Sequence, residues 1–110
     1  MAAVRGGPKV CVLLAAVLTT SAALAIDGDA ERGRVKSNSC QGCHAIPSYS
    51  NAYPNYHVPK VGGQNEAYII SALLSYRNGT RAHGTMHINA LALSDQDIAD
   101  IAAYFSSIGR

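Results

Sequence analysis

The most regular hydrophobic spacing lies near the C-terminal end, where Ile98, Ile101, Ala102, Phe105 and Ile108 recur at three- and four-residue intervals. That period gathers them on one face of a helix. Ser94 stands at its start, and Asp97 three residues later makes an acidic variant of the capping box. A second helical pattern runs from Gln64 to Asn78, with Ile69, Ala72, Leu73 and Tyr76 on a shared face. Gly79 follows it, where a left-handed terminating residue belongs. Closer to the N-terminus, Asp29 is suited to cap a helix through Lys36, with Glu31 in the first turn where negative charge suits the helix dipole. Gly33 sits inside that helix at a cost of ~1 kcal/mol relative to alanine. Such a cost is tolerable where another helix must cross closely.

The segments between these patterns read as loops. Ile46 to Pro59 holds Pro47, Pro54 and Pro59 with Asn51 and Asn55, which predicts irregular structure. A loop this long in a small domain is usually functional. Thr80 to Leu93 reads as a second loop, carrying His83, Gly84, Met86 and His87. No alternating strand pattern, internal repeat or low-complexity run is visible. The elements predict an all-α domain of three to five helices.

Composition changes the picture at the N-terminus. Arg5 and Lys9 precede the apolar run Val10 to Leu18, and Ala23-Leu24-Ala25 has the form of a cleavage site. Residues 1–25 therefore read as a secretory leader. The alternative, an uncleaved anchor, needs a longer apolar stretch than the one that Thr19-Thr20-Ser21 interrupts. Removing 25 of the 110 residues leaves one domain, 26–110. Both leader charges are basic, so nine basic and seven acidic residues become seven of each. That balance gives no ground for a nucleic-acid partner or an acidic membrane surface. Cys11 leaves with the leader and lacks the Leu-x-Gly/Ala-Cys setting of lipid attachment. A chain of 85 residues with no Trp, one Phe and six Tyr has little with which to build a core. Chains of this size usually need a staple or a large cofactor.

The remaining cysteines stand in Cys40-Gln41-Gly42-Cys43-His44. Two thiols at this spacing can add across the two vinyl groups of a haem, and the adjoining histidine then lies under the iron. As a disulfide the pair would close only a very short loop, which makes it a poor staple. A second axial ligand is usually Met or His. Met1 leaves with the leader, so Met86 is the remaining thioether. His83 and His87 flank it and are rival ligands. They also permit a structural zinc site from Cys40, Cys43, His83 and His87, although that set leaves His44 without a role. Dithiol–disulfide exchange at Cys40 and Cys43 is a third possibility, but it normally accompanies a βαβ unit. His57 reads as a solvated loop residue.

With these residues laid out, the chain resembles the class I cytochromes c, and above all the short bacterial branch that includes the dihaem cytochromes, each half of which is similar to this chain. Gly28 to Gly33 resembles that family's first helix, and Asp97 to Phe105 its last. The resemblance implies that Gly33 lies at the helix crossing against Tyr104. It implies that Pro59 offers its carbonyl to His44, that Arg81 serves a haem propionate, and that Met86 is the axial methionine. Ile98, Ile101, Phe105, Leu73 and Tyr76 are expected to bury the haem. The single attachment motif implies one haem. The Tyr-rich loop before Pro59 (Tyr49, Tyr53, Tyr56) and His87 directly after Met86 depart from the family pattern. The implied function is one-electron transfer in the periplasm, without catalysis, to redox proteins or a membrane oxidase or dehydrogenase. The chain would act as a monomer, without a permanent membrane anchor, or as the haem subunit of a dehydrogenase or oxidase complex.

Overall fold

Five short helices and one small hairpin follow one another in a computed structural model that describes residues 2, 3, 6, 7 and 25–109. The expected leader, residues 1–25, lies almost wholly outside the described residues. Among the described residues no helix is long and apolar enough to cross a membrane.

The first helix, α1 (Ala30–Lys36), begins as the sequence predicts, with the Asp29 carboxylate accepting from the Arg32 N–H at 2.8 Å. At the buried Ser37 the chain turns directly into α2 (Asn38–His44). This second helix carries the whole attachment motif, so Cys40 shares a face with both Cys43 and His44 at the i+3 and i+4 spacings. Helix α3 (Glu66–Asn78) is capped by Asn65 and ends at Gly79, whose φ of 82° is the left-handed terminator expected there. Helix α5 (Asp95–Ser107) carries the full capping box between Ser94 and Asp97. Ile98, Ile101, Ala102 and Phe105 are buried on its inner face against Ile69 and Leu73 of α3. Ile108 falls one residue beyond the helix.

Two expectations need correction. Ile46 to Pro59 is not wholly irregular, because β1 (Ser50–Ala52) and β2 (Asn55–His57) pair antiparallel as Ser50 with His57, Asn51 with Tyr56 and Ala52 with Asn55. Strands of three residues, mostly polar, are too short to display an alternation. Thr80 to Leu93 is not wholly loop either: Gly84–Leu91 forms α4. Its cap is His83, whose Nδ1 accepts from the Met86 N–H at 3.3 Å. Histidine is outside the usual set of capping residues, which is why the start left no mark in the sequence. The hairpin does not alter the fold class, which is all-α.

The α1–α5 crossing is closer than the Gly33 argument alone suggests. A Cβ on Gly33 would overlap the Asp100 carbonyl oxygen, and one on Gly28 would overlap that of Ala99. Tyr104 lies beside Gly33, as the resemblance implies, but the Asp100 backbone is nearer.

Candidate functional site

The apolar face of α3 that packs on α5 also borders a cleft. Its floor is apolar, formed by Ile69, Ala72, Leu73 and Tyr76. The α2 motif stands on one side and the first turn of α4 on the other. Cys40, Cys43, His44 and Met86 all line this single cavity, whose volume is about 460 Å³. That lies within the ~300–1,000 Å³ typical of cofactor clefts. A larger cleft of about 650 Å³ lies behind His44, against Phe105 and Ile108. It contains neither thiol nor Met86, so the chemistry assigns the smaller one.

Within the assigned cleft each titratable group has a defined environment. His44 Nδ1 lies 2.7 Å from the Pro59 carbonyl oxygen. A carbonyl only accepts, so Nδ1 is the donor, and in the neutral ring the lone pair lies on Nε2. Cys40 and Cys43 are both free thiols. Burial pushes the Cys40 thiol up from its ordinary value, so it stays protonated at neutral pH. Arg81 lines the rim, its guanidinium 4.7 Å above the Tyr76 ring and its Nη1 donating to the Tyr68 hydroxyl at 3.4 Å.

The rival histidines separate. His83 lines the cavity, with Nδ1 engaged as the α4 cap. His87 Nδ1 donates instead to the Tyr76 carbonyl at 2.7 Å, and its ring is not part of the cavity wall. Cys40, Cys43, His83 and His87 do not converge, and among the described residues no group of three or more His, Cys, Asp or Glu side chains could hold a metal ion. The zinc site is thereby set aside. His57 is exposed at the rim. Ile98, Ile101 and Phe105, expected to cover the haem, are absent from this wall and pack in the core behind α3. In their place stand Tyr56, Tyr68 and Thr85, none of which the sequence reading put there. For Tyr56 one signal existed, the Tyr-rich loop that departs from the family pattern.

This donor set fits a haem held by two thioethers. The two thiols share a face with a histidine whose Nδ1 is engaged, leaving Nε2 for a metal, a thioether lines the same cleft, and the floor is apolar. A dithiol exchanger would need none of the last three.

Comparison with known proteins agrees. The Cytochrome c family model matches residues 30–109. Cytochrome c-554(548) of Halomonas halodenitrificans is 43% identical over 83 residues, covering 73% of this chain and 96% of that protein. Cytochrome c4 of Pseudomonas aeruginosa is 42% identical over 80 residues, covering 73% of this chain and 38% of its own. The cytochrome subunit of sulfide dehydrogenase from Chlorobaculum tepidum is 32% identical over 79 residues, covering 72% of this chain and 68% of its own. The crystal structure of reduced cytochrome c4 from Pseudomonas stutzeri superposes with a TM-score of 0.61 at 37% identity, over 74% of this chain and 46% of that one. The chain thus spans about half or less of the length of the cytochrome c4 relatives it matches. Covalently bound haem c is the group that this family carries, and electron transfer is its work; the match across residues 30–109 shows that this chain belongs to the cytochrome c family.

Proposed function

We propose that the chain is an exported one-electron carrier, with residues 1–25 removed as a leader and 26–110 forming a single-haem domain in the periplasm. In this reading Cys40 and Cys43 form the two thioethers, and His44 and Met86 are the axial iron ligands. One observation carries it: both thiols, His44 and Met86 line one cavity, and the Pro59 carbonyl engages His44 Nδ1, which leaves Nε2 for the iron.

Haem supplies an iron that takes up and gives back one electron. The chain's residues set the terms on which it does so. The Pro59 carbonyl, 2.7 Å from His44 Nδ1, fixes the ring's tautomer and makes Nε2 more electron-rich. The Met86 thioether favours the reduced state relative to a second histidine, which places the potential in the positive range of a carrier. Ile69, Leu73 and Tyr76 keep water from the cleft floor, and the dry surroundings disfavour the extra positive charge of the oxidised state. Arg81, at the rim, is placed to pair with a propionate. With both axial positions taken by protein there is no open position for a substrate, so the chain is not an enzyme in its own right.

The test is spectroscopic. Oxidised protein made with a haem-attachment system should be red, keep its haem through acid–acetone extraction, and show the weak red band of a Met–iron bond. Met86→Ala should abolish that band and lower the potential. Persistence of the band in the variant would falsify the ligand assignment.

A second reading, a haem subunit held by a dehydrogenase, draws support from the relative named as the cytochrome subunit of sulfide dehydrogenase. Gel filtration of native extract separates the two. Co-elution with a large catalytic subunit favours the complex, and migration as a small monomer favours the free carrier.

A further inference from the structure

The hairpin touches both walls of the cleft within four residues of chain. Pro59, just after β2, accepts from His44 on one side. Tyr56, in the middle of β2, reaches the other. Its hydroxyl donates to Thr85 Oγ1 at 3.0 Å, and its ring meets that of His83 edge-on with centroids 4.7 Å apart. His83 in turn accepts the Met86 N–H. Tyr56 therefore grips the cap residue at position 83 and the second residue of α4 at position 85, and the next residue is Met86. The hairpin that carries it is itself anchored, since Val58 is buried and its N–H donates to the Tyr49 carbonyl at 2.9 Å. From α3, Tyr76 holds the same turn as well, through its carbonyl, which accepts from His87, and through its ring, edge-on to His83 with centroids 6.1 Å apart.

We propose that Tyr56 is a positioning residue for Met86: its hydroxyl on Thr85 and its ring on His83 hold the first turn of α4 so that the thioether stays opposite His44. This rests on the reading of Met86 as an axial ligand. A short strap would then hold both axial ligands to one piece of backbone. If the turn loosens, the weak Met–iron bond should yield before the His44 bond does, because the thioether is the softer donor to oxidised iron.

The test uses the oxidised holoprotein titrated with imidazole, which competes with Met86 for iron and is read by loss of the Met–iron band. Tyr56→Phe keeps the ring against His83 and removes the hydroxyl; Thr85→Val removes its partner. Each should tighten imidazole binding about fivefold, the worth of one hydrogen bond. The double variant should tighten it no further than either single, because both remove the same bond. Thr85→Ser should restore wild-type affinity, and Tyr53→Phe, at the hairpin tip where Tyr53 is 96% exposed, should leave it unchanged. Additive effects in the double variant would mean general loosening and would overturn the proposal. So would wild-type affinity in Tyr56→Phe when the wild-type band is normal. If the wild-type protein lacks the band altogether, the axial reading fails and the positioning role fails with it.

Discussion

The α1–α5 crossing and the cleft between α2 and α4 are held together in opposite ways. At the crossing, backbone meets backbone, and Gly28 and Gly33 leave no room for a side chain. Beside them the Asp100 carboxylate has no exposed surface. It accepts from the Asp29 N–H at 2.8 Å, from Arg32 Nε at 3.0 Å, from Lys36 Nζ at 2.8 Å and from Gln96 Nε2 at 2.9 Å. The covering comes from those long side chains rather than from depth in the core, since Arg32 remains half exposed. Every acceptor position of the carboxylate is used. In the cleft, apolar side chains such as Ile69 and Leu73 belong to the core on one flank and line the cavity on the other, and Cys43, Pro59 and Arg81 at its rim are exposed. One region is finished by protein contacts alone, while the other is shaped to pack against the haem that this family carries. The small domain has few large buried side chains, so the occupant is part of the core in the energetic sense.

The comparison is broken most severely by taking the haem away. The variant Cys40→Ala with Cys43→Ala cannot form thioethers, and it should lose about 4 kcal/mol or more of stability, the scale reached when a bound group that completes a core is lost. Amide exchange should show where the loss falls. Protection should vanish first in β1, β2 and α4 and persist longest in α5. Even loss through α1 and α5 would mean that the two regions are not separate in kind.

Within the crossing, Gly33→Val forces a branched side chain against the Asp100 backbone and should cost about 3 kcal/mol in chemical denaturation of the holoprotein. Asp100→Asn comes next. It removes a charge partner from Arg32 and Lys36, which keep Asp29 and Asp97, and should cost about 2 kcal/mol, less than for a deeply buried pair because Arg32 can turn to water. Its pH signature is distinctive. The bond from Arg32 holds the Asp100 carboxyl well below its ordinary 3.8, and Lys36 with the Ser94 cap lowers Asp97 from 3.8 to about 2. A carboxylate with a depressed folded-state value stabilises fully above its unfolded value, and the stabilisation is lost as pH falls through the folded one. Unfolding free energy should therefore be flat above about pH 5 and fall between pH 3.8 and about 2. In Asp100→Asn that fall should be shallower, leaving the share due to Asp97. An unchanged acid slope would remove Asp100 from the account.

How much of this was legible in the sequence differs between the same two regions. The crossing was readable in outline, because Asp29, Gly33, Ser94 and Asp97 signal through local rules of capping and spacing that need no partner. Asp100 was not, since an aspartate on a helix looks solvated until the cations beside it, 64 and 68 residues away in sequence, are known. The attachment motif and Met86 were readable because covalent and ligand chemistry fixes residue types at fixed positions. The elements that bring them together were not. Strands of three polar residues and a helix capped by histidine carry no periodic signal, so the hairpin and α4 emerged only with the fold. The same blindness put Ile98, Ile101 and Phe105 of α5, which pack elsewhere, on the cleft wall beside Leu73 and Tyr76 of α3, which do line it, and missed Tyr56.

The smallest expected effect lies where the two regions meet. Arg77, near the end of α3, donates through Nη1 to the Leu93 carbonyl at 3.1 Å and through Nη2 to Asp95 at 2.5 Å, tying the cleft floor to the start of α5. Asp95 is mostly exposed, and exposed ion pairs contribute little. The Leu93 carbonyl is partly buried and would lose its partner without full access to water. Arg77→Gln should therefore cost about 1 kcal/mol, which in a domain of this size lowers the melting temperature by roughly 4–8 °C. Asp95→Asn should cost less than half of that, because the carbonyl bond survives. If the two variants proved equal, the charge pair would be the tie and the carbonyl incidental. In both, the Met–iron band should stay unchanged, since Arg77 reaches neither His44 nor Met86. A shifted band in Arg77→Gln would mean that strain at the α3–α5 joint is felt in the cleft, and the division between the two regions would have to be redrawn along α3.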